Sequence, residues 1–193
     1  EVKVILDHHI VGSTTGAVTN KLWCDYIYLD TDERRRFAQV SHEYLIEQLQ
    51  FTGVETISAT GTTKLRLNFN HPVKELIWGA DNGGFDFTNG ASGNPVSTGL
   101  LQLNGHDRFS SEAGKFFNYV QPHTHHSRTP NAGINVYSFA LNPEEHQPSG
   151  TCNFSRIDNA TLTVTTASAS TSFYVYAVNY NVLRIMSGMG GVA

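Results

Sequence analysis

The sequence predicts an all-β fold, a sandwich or barrel built from many short strands. Two segments, residues 64–69 and residues 160–165, alternate polar and apolar side chains with a period of two, as strands buried on one face do. Turn signals rich in Gly, Asn and Pro separate such runs, for example Asn82-Gly83-Gly84 and Asn104-Gly105. This pattern favours an antiparallel sandwich or barrel over units in which strands alternate with helices.

The remaining elements follow in chain order. Further β-rich runs lie at residues 2–6, 22–29, 44–51, 73–78, 100–103, 134–141 and 173–185. Asp30 is a helix-capping residue type, and Glu33 three positions later completes the pattern of a capping box, so a short helix is predicted to start there. Residues 111–119 are compatible with a second helical turn. Neither helix is long enough to form a layer of its own.

Length and composition exclude several classes of protein. A chain of 193 residues can form one domain with a sizeable core, and 39% hydrophobic residues exclude a disordered chain. The net charge of −4 argues against binding nucleic acid through bulk charge. No apolar run approaches the ~20 residues of a membrane span, and the first residues do not resemble a signal peptide. Cys24 and Cys152 are too few for a disulfide framework.

The chain shows one possible internal repeat. Residues 2–29 and residues 160–185 share the same order of a strand, a stretch rich in Ser or Thr, and an aromatic strand. A repeat at about one domain length fits two tandem copies of one β-domain, the first of them mostly missing. The sequence also lacks an initiator Met, so we expect it to begin inside a longer protein.

The most obvious metal candidate is the segment His123-Thr124-His125-His126. In an extended segment His123 and His125 would face the same side, and imidazoles bind zinc, nickel or copper. No Cys lies near, no H-E-x-x-H pattern is present, and the flanking residues are typical of an exposed loop. Structural or incidental histidines are therefore favoured over a metal site. The pair His8-His9 is similarly loop-like, and Glu144-Glu145-His146 follows Pro143 at the end of a predicted strand.

Other chemical motifs are weak or missing. The run of residues 34–36, three arginines, lies beside Asp30, Asp32 and Glu33, which favours local pairing on a solvated helical turn. The sequence has no G-x-S-x-G, P-loop or G-x-G-x-x-G stretch. Asn153 and Asn159 start N-glycosylation patterns that are best interpreted as chance matches. The sequence thus predicts no catalytic residue, no cofactor site and no metal site, and the protein is not expected to be an enzyme.

Several distinctive strings occur together in this chain. They are residues 29–38 (LDTDERRRFA), 42–48 (HEYLIEQ), 69–72 (FNHP), 103–105 (LNG), 137–141 (YSFAL), 147–159 (QPSGTCNFSRIDN) and 180–191 (YNVLRIMSGMGG). In this order the chain resembles the C-terminal part of the major capsid proteins of nucleocytoplasmic large DNA viruses, in the algal-virus and iridovirus group. The resemblance spans nearly the whole chain and departs mainly at residues 81–98, around His123 to Pro130, and in the Ser/Thr stretches.

The resemblance implies two consecutive eight-stranded jelly rolls and a trimer of pseudo-hexagonal outline that tiles an icosahedral shell. Residues 1–29 would be the last two strands of the first jelly roll, residues 30–40 a helical connector that docks through Phe37, and residues 41–193 the second jelly roll. The implied strands of that second domain lie near residues 43–52, 64–70, 73–80, 99–104, 115–121, 133–141, 160–167 and 173–186. The loop at residues 81–98, with Phe85 and Phe87, is expected to be long and exposed on the outward face of the shell.

By the same resemblance, the expected function is that of a structural protein in the outer capsid of the virion, assembled in the host cytoplasm. The implied partners are copies of itself in a homotrimer, neighbouring capsomers, and minor capsid and penton proteins, without direct nucleic-acid contact or membrane insertion. The alternative from another class is a jelly-roll lectin, because Trp78 and the Gly/Asn-rich loop after it would offer a sugar platform. A cupin-type enzyme is disfavoured, because most histidines lie in predicted turns.

Overall fold

The computed structural model describes residues 3–4, 21–57, 60–81, 94–166, 172–187 and 189–192. The strands are β1 (His42–Thr56), β2 (Gly61–Leu67), β3 (Pro72–Asp81), β4 (Val96–Leu103), β5 (His106–Asp107), β6 (Glu112–Ala113), β7 (Asn135–Ser138), β8 (Cys152–Asn153), β9 (Ala160–Thr166), β10 (Ser172–Met186) and β11 (Met189–Val192). The helical segments are α1 (Thr31–Gln39), a π-helical turn (Phe116–Val120) that runs into α2 (Gln121–His125), and a 3-10 turn (Phe154–Arg156). No helix within these ranges has the length and apolar character needed to cross a membrane.

The strands form two antiparallel sheets, here named the long sheet and the short sheet. The long sheet has the order β1-β10-β3-β7, with β11 beside β10 and β8 beside β3. The short sheet has the order β2-β9-β4-β5, with β6 beside β4. Early strands pair with late ones, β1 with β10 and β2 with β9, and the first four strands alternate between the sheets. This is the strand order of a jelly-roll sandwich, so the predicted all-β jelly roll is confirmed.

The core lies between the two sheets, where alternate side chains of the facing strands are buried. Leu162 of β9 lies opposite Leu101 of β4 in the short sheet, and both are almost fully buried. Phe117 from the π-helical turn also enters the core, with its ring centroid 5.1 Å from that of Trp78. Gly99 makes room for Phe117, because a Cβ at position 99 would lie 2.8 Å from the Phe117 ring. The helical turn is therefore part of the sandwich rather than an appendage.

Most predicted strands are present. The alternating segment at residues 160–165 lies in β9, and the one at residues 64–69 lies in β2 as far as Leu67. The runs predicted at 44–51, 73–78, 100–103 and 173–185 lie in β1, β3, β4 and β10. The strand expected near residues 133–141 is shorter and covers only β7. The long loop predicted at residues 81–98 falls mostly outside the described residues, between the end of β3 and the start of β4.

The strand expected near residues 115–121 is wrong, because this segment is helical. Phe117 and its neighbour Asn118 are both buried in this turn. The Asn118 carboxamide donates hydrogen bonds to the carbonyl oxygens of Asn131 and Ile134, at 3.0 and 2.7 Å. The two-residue strands β5 and β6 pair with β4 in its place. The helical turn considered at residues 111–119 is present but begins after β6.

The N-terminal region agrees with the predictions in one part and not in another. Asp30 caps α1: its Oδ1 accepts from the Glu33 backbone N–H at 2.8 Å, and its own N–H donates to Glu33 Oε2 at 3.3 Å. The strand predicted at residues 22–29 is not formed, because residues 21–30 have no regular secondary structure. No strand in the described part of the chain forms backbone hydrogen bonds with these residues, and an unpaired strand is not stable in water. Of the strand predicted at residues 2–6, only residues 3–4 are described.

A bulge in β3 buries a charged side chain. Glu75 lies opposite Val178 while Val73 lies opposite Asn179, so Lys74 is the extra residue between them. The Lys74 side chain is only 4% exposed, and its ammonium donates to Glu47 Oε1 at 2.7 Å. Because an unpaired ammonium is costly to bury, the pairing with Glu47 of β1 is a condition for this bulge.

We predict that Glu47→Ala destabilises the chain by about 3 kcal/mol, the lower end for breaking a buried ion pair, because Glu47 itself reaches water. Lys74→Met should lower the free energy of unfolding by less than Glu47→Ala does, because it removes the buried charge and leaves only a partly exposed carboxylate. Urea unfolding of the 193-residue chain measures both.

The matched control is Glu43→Ala, on the same face of β1. Glu43 pairs with Arg184 at 2.7 Å, but both side chains are more than half exposed, so its loss should cost below about 1 kcal/mol. If Glu47→Ala and Glu43→Ala lowered the free energy of unfolding equally, the conclusion that the buried Lys74 ammonium requires Glu47 would be wrong.

Candidate functional site

The histidine segment is helical rather than extended. His123 and His125 lie on α2 and His126 is its C-cap, so the two residues predicted to share a side point in different directions around the helix. The Nδ1 atom of His125 lies 3.0 Å from the Leu141 carbonyl oxygen. The Nε2 atom of His126 lies 2.8 Å from Glu75 Oε2, and both side chains are largely buried. His125 and His126 therefore fasten α2 to the rest of the sandwich.

The structure brings no metal-binding group of three or more ligands together in the part of the chain that it describes. The other polar candidates are also engaged in tertiary contacts. Glu144 accepts from the backbone N–H and the hydroxyl of Ser127, at 3.0 and 3.1 Å. His146 Nδ1 lies 3.4 Å from Glu47 Oε1, beside the buried pair with Lys74. His8-His9 lies outside the described residues.

Trp78 cannot serve as a sugar platform. The alternation of β3 turns it into the core, where it is 1% exposed and packs against Phe117. The interpretation of Trp78 as an exposed binding residue is therefore wrong, and most of the Gly/Asn-rich loop after it lies outside the described residues.

The remaining candidates are local structural features. Arg35 pairs with Asp32 at 3.6 Å on the exposed surface of α1, as the sequence predicts for this basic run. Asn153 accepts from the Ser155 backbone N–H at 3.1 Å and caps the 3-10 turn. Cys24 and Cys152 are both free thiols, and burial raises the pKa of the Cys152 thiol.

The most distinctive surface is the outer face of the long sheet, the side turned away from the core. Leu49, Phe51 and Val54 of β1 are 63%, 45% and 57% exposed there. Phe51 stacks on Tyr176 of β10 with ring centroids 4.6 Å apart, and on Tyr174 at 6.0 Å. Burial raises the pKa of Tyr176, so its phenol stays neutral. This face combines an ordered aromatic stack with exposed aliphatic side chains.

A small apolar recess opens beside the aromatic stack. Its volume is about 120 Å³, and it is lined by Ile77, Trp78, Gly79, Ile134 and Tyr176. Its lining is wholly apolar, which suits one aliphatic or aromatic side chain.

Paired charges lie at one end of the outer face. Glu43 accepts from Arg184 Nε at 2.8 Å, and Glu47 neutralises Lys74. The 15-residue strand β1 pairs with β10 on one side, and no strand in the described ranges pairs with its other edge. The outer face and the free edge of β1 thus form one continuous surface without unpaired charge at that end.

Sequence reasoning missed this surface, although a signal was present. In β1 the segment YLIEQLQF has apolar residues on both faces, which is typical of a strand covered on both sides. The bulge at Lys74 and the aromatic stack join residues far apart in the chain, so their proximity is not visible in the sequence.

Comparison with known proteins gives a consistent result. A family model described as the large eukaryotic DNA virus major capsid protein matches residues 33–191. The major capsid protein of Pyramimonas orientalis virus is 50% identical over an alignment that covers 100% of this chain and 54% of the relative. That of Paramecium bursaria Chlorella virus 1 is 44% identical, with 91% of this chain and 54% of the relative covered.

Solved structures agree in fold. A quasi-atomic model of the PBCV-1 virus capsid superposes with a TM-score of 0.77 at 41% identity, covering 87% of this chain and 55% of the other. The Faustovirus major capsid protein, at 15% identity, has a TM-score of 0.56 over 78% of this chain and 34% of its own, and supports the fold alone. This chain spans about half the length of the curated relatives it matches. On the family match and these identities, the chain belongs to the major capsid proteins of large eukaryotic DNA viruses.

Proposed function

We propose that this chain is the C-terminal part of a structural protein that forms the icosahedral outer shell of a large double-stranded DNA virus. The observation that carries the proposal is the family match over residues 33–191, on a chain folded as a jelly-roll sandwich. The role is architectural and not enzymatic, which agrees with the engagement of His125, His126 and Glu144 in tertiary contacts.

The full-length protein assembles as a homotrimer with a pseudo-hexagonal outline. Each trimer contacts neighbouring capsomers, minor capsid proteins and the penton, and assembly takes place in the host cytoplasm before the protein resides in the virion. A near-neutral chain with few charged residues can pack beside copies of itself without strong repulsion. Neither nucleic acid nor membrane insertion is part of this role.

We further propose the domain boundaries of this region. Residues 1–29 are the last two strands of a preceding jelly roll, residues 30–40 connect the two domains, and residues 41–193 form the second jelly roll. In support, Trp23 and Ile27 are each 87% exposed in a segment without regular structure, whereas α1 is capped locally. Phe37 of α1 contacts the His42 ring at 4.8 Å, which attaches the connector to β1.

Trimer formation is the first prediction of this proposal. Light scattering coupled to size-exclusion chromatography of the full-length protein should give three times the chain mass, and negative-stain micrographs should show particles of hexagonal outline. A stable monomer at micromolar concentration would overturn the proposed assembly.

The domain boundary predicts a change in hydrogen exchange. Amides of residues 22–29 should exchange fast in the 193-residue chain and become protected in the full-length protein, because their ladder partners belong to the preceding domain. Residues 162–165 of β9 are the internal control and should be protected in both. Equal protection of residues 22–29 and 162–165 in the short chain would show that the boundary is misplaced.

We also propose that His123, His125 and His126 hold no functional metal. After dialysis, elemental analysis of the full-length protein should find zinc and nickel far below one ion per chain. A stoichiometric metal that is lost on His126→Ala, with the chain still folded, would contradict this.

A further inference from the structure

We infer that the outer face of the long sheet, with the free edge of β1, is a seam between subunits that is covered by a second copy of the full-length chain. The inference rests on the proposed shell function and names the surface through which that function operates.

The first argument is the amount of exposed apolar surface in one place. Leu49, Phe51 and Val54 lie on the same side of β1 as one apolar row, and Leu45, at 39% exposure, lies on that side beyond Glu47. Soluble monomers rarely expose a contiguous apolar patch of this kind, because each such side chain loses the free energy of burial. The face therefore needs a cover in the assembled protein.

The second argument is that this face is already ordered for binding. Phe51 is stacked within 16° of the Tyr176 plane and 12° of the Tyr174 plane, so little rotamer freedom is lost when a partner covers it. The apolar recess beside Tyr176 accepts a side chain of the partner, as pockets at the centre of protein interfaces do.

The third argument concerns the chemistry of the partner. Arg184 and Lys74, the cations at one end of the face, are each paired with a glutamate of β1. The charges at this end attract neither a polyanion nor a strongly basic partner, whereas a second copy, whose corresponding 193 residues carry a net charge of only −4, fits. Among the described residues, no strand pairs with the second edge of β1, and such an edge calls for a partner that can cover it.

The position of α1 favours a second copy over the preceding half of the same chain. Side chains alternate along β1, so His42 points to the face opposite that of Glu43. Phe37 packs on the His42 ring, which itself lies near Tyr44 on that opposite face. Helix α1, which leads into β1, thus contacts the sandwich on the side away from the outer face. About half the length of the relatives lies outside this chain. A second full-length copy therefore has a further half with which it can cover the outer face.

The test is made on the full-length protein with Leu49→Glu, against Leu49→Met as the matched control. Leu49 is exposed, so both variants should fold with unchanged circular dichroism. Light scattering over a concentration series should show trimer formation at least tenfold weaker for Leu49→Glu than for the wild type. Trimer formation by Leu49→Met should equal that of the wild type. A trimer of wild-type stability in Leu49→Glu would overturn the inference. A monomeric wild-type protein would instead overturn the proposed function.

A photo-crosslinking amino acid at position 49 distinguishes the possible occupants. Irradiation of the wild-type assembly should give a band of twice the chain mass on a denaturing gel. Crosslinks confined within one chain would mean that the preceding domain of the same copy covers the face, and a complete lack of crosslinks would mean that the face is open. Either result contradicts a seam between subunits.

Discussion

The fold depends on the antiparallel ladder between the start and the end of the jelly roll. Strand β10 lies between β1 and β3, and its pairing with β1 runs from His42 opposite Ile185 to Thr56 opposite Ser172. Without β10, strands β1 and β3 would have no common neighbour, and the long sheet would separate into two parts. Because this contact spans most of the chain, the sheet can close only after its last long strand is in place.

The same ladder determines what each face of the long sheet presents. On the inner side it places Phe173, Val175 and Ala177 in the core. On the outer side it brings Phe51 onto Tyr174 and Tyr176. A register shift of one residue would exchange these two sets. Core packing and the apolar outer face are therefore consequences of a single register.

Local physics made part of this structure predictable. The capping box at Asp30 and Glu33 involves residues three apart, and the alternation of β2 and β9 is a property of each segment alone. Prediction failed where contacts between residues far apart in the sequence determine the local structure. The strand that the resemblance implied near residues 115–121 is instead a helical turn, because Phe117 packs against Trp78 and the Asn118 carboxamide bonds to the carbonyl oxygens of Asn131 and Ile134.

Trp78 illustrates the same limit in the candidate site. Its place before a Gly/Asn-rich stretch suggested an exposed ring, whereas its register in β3 makes it core. That register also depends on the bulge at Lys74, which is stable because Glu47, on another strand, supplies a carboxylate. The sequence of β3 alone therefore predicts neither the bulge at Lys74 nor its pairing with Glu47.

The strings that identified the family have their own physical reason to be distinctive. In residues 147–159, Gly150 has a φ of +145°, and a Cβ there would lie 2.8 Å from the Phe139 carbonyl oxygen. The backbone N–H groups of Asp158 and Asn159 both donate to Asn104 Oδ1, in the turn after β4. Such positions accept few residue types, so they specify a fold far more narrowly than alternating strands do. An outer face has no comparable local requirement, because any apolar pair of surfaces that fit each other will serve. Family resemblance therefore locates the sandwich, and only the geometry of the exposed side chains locates the seam.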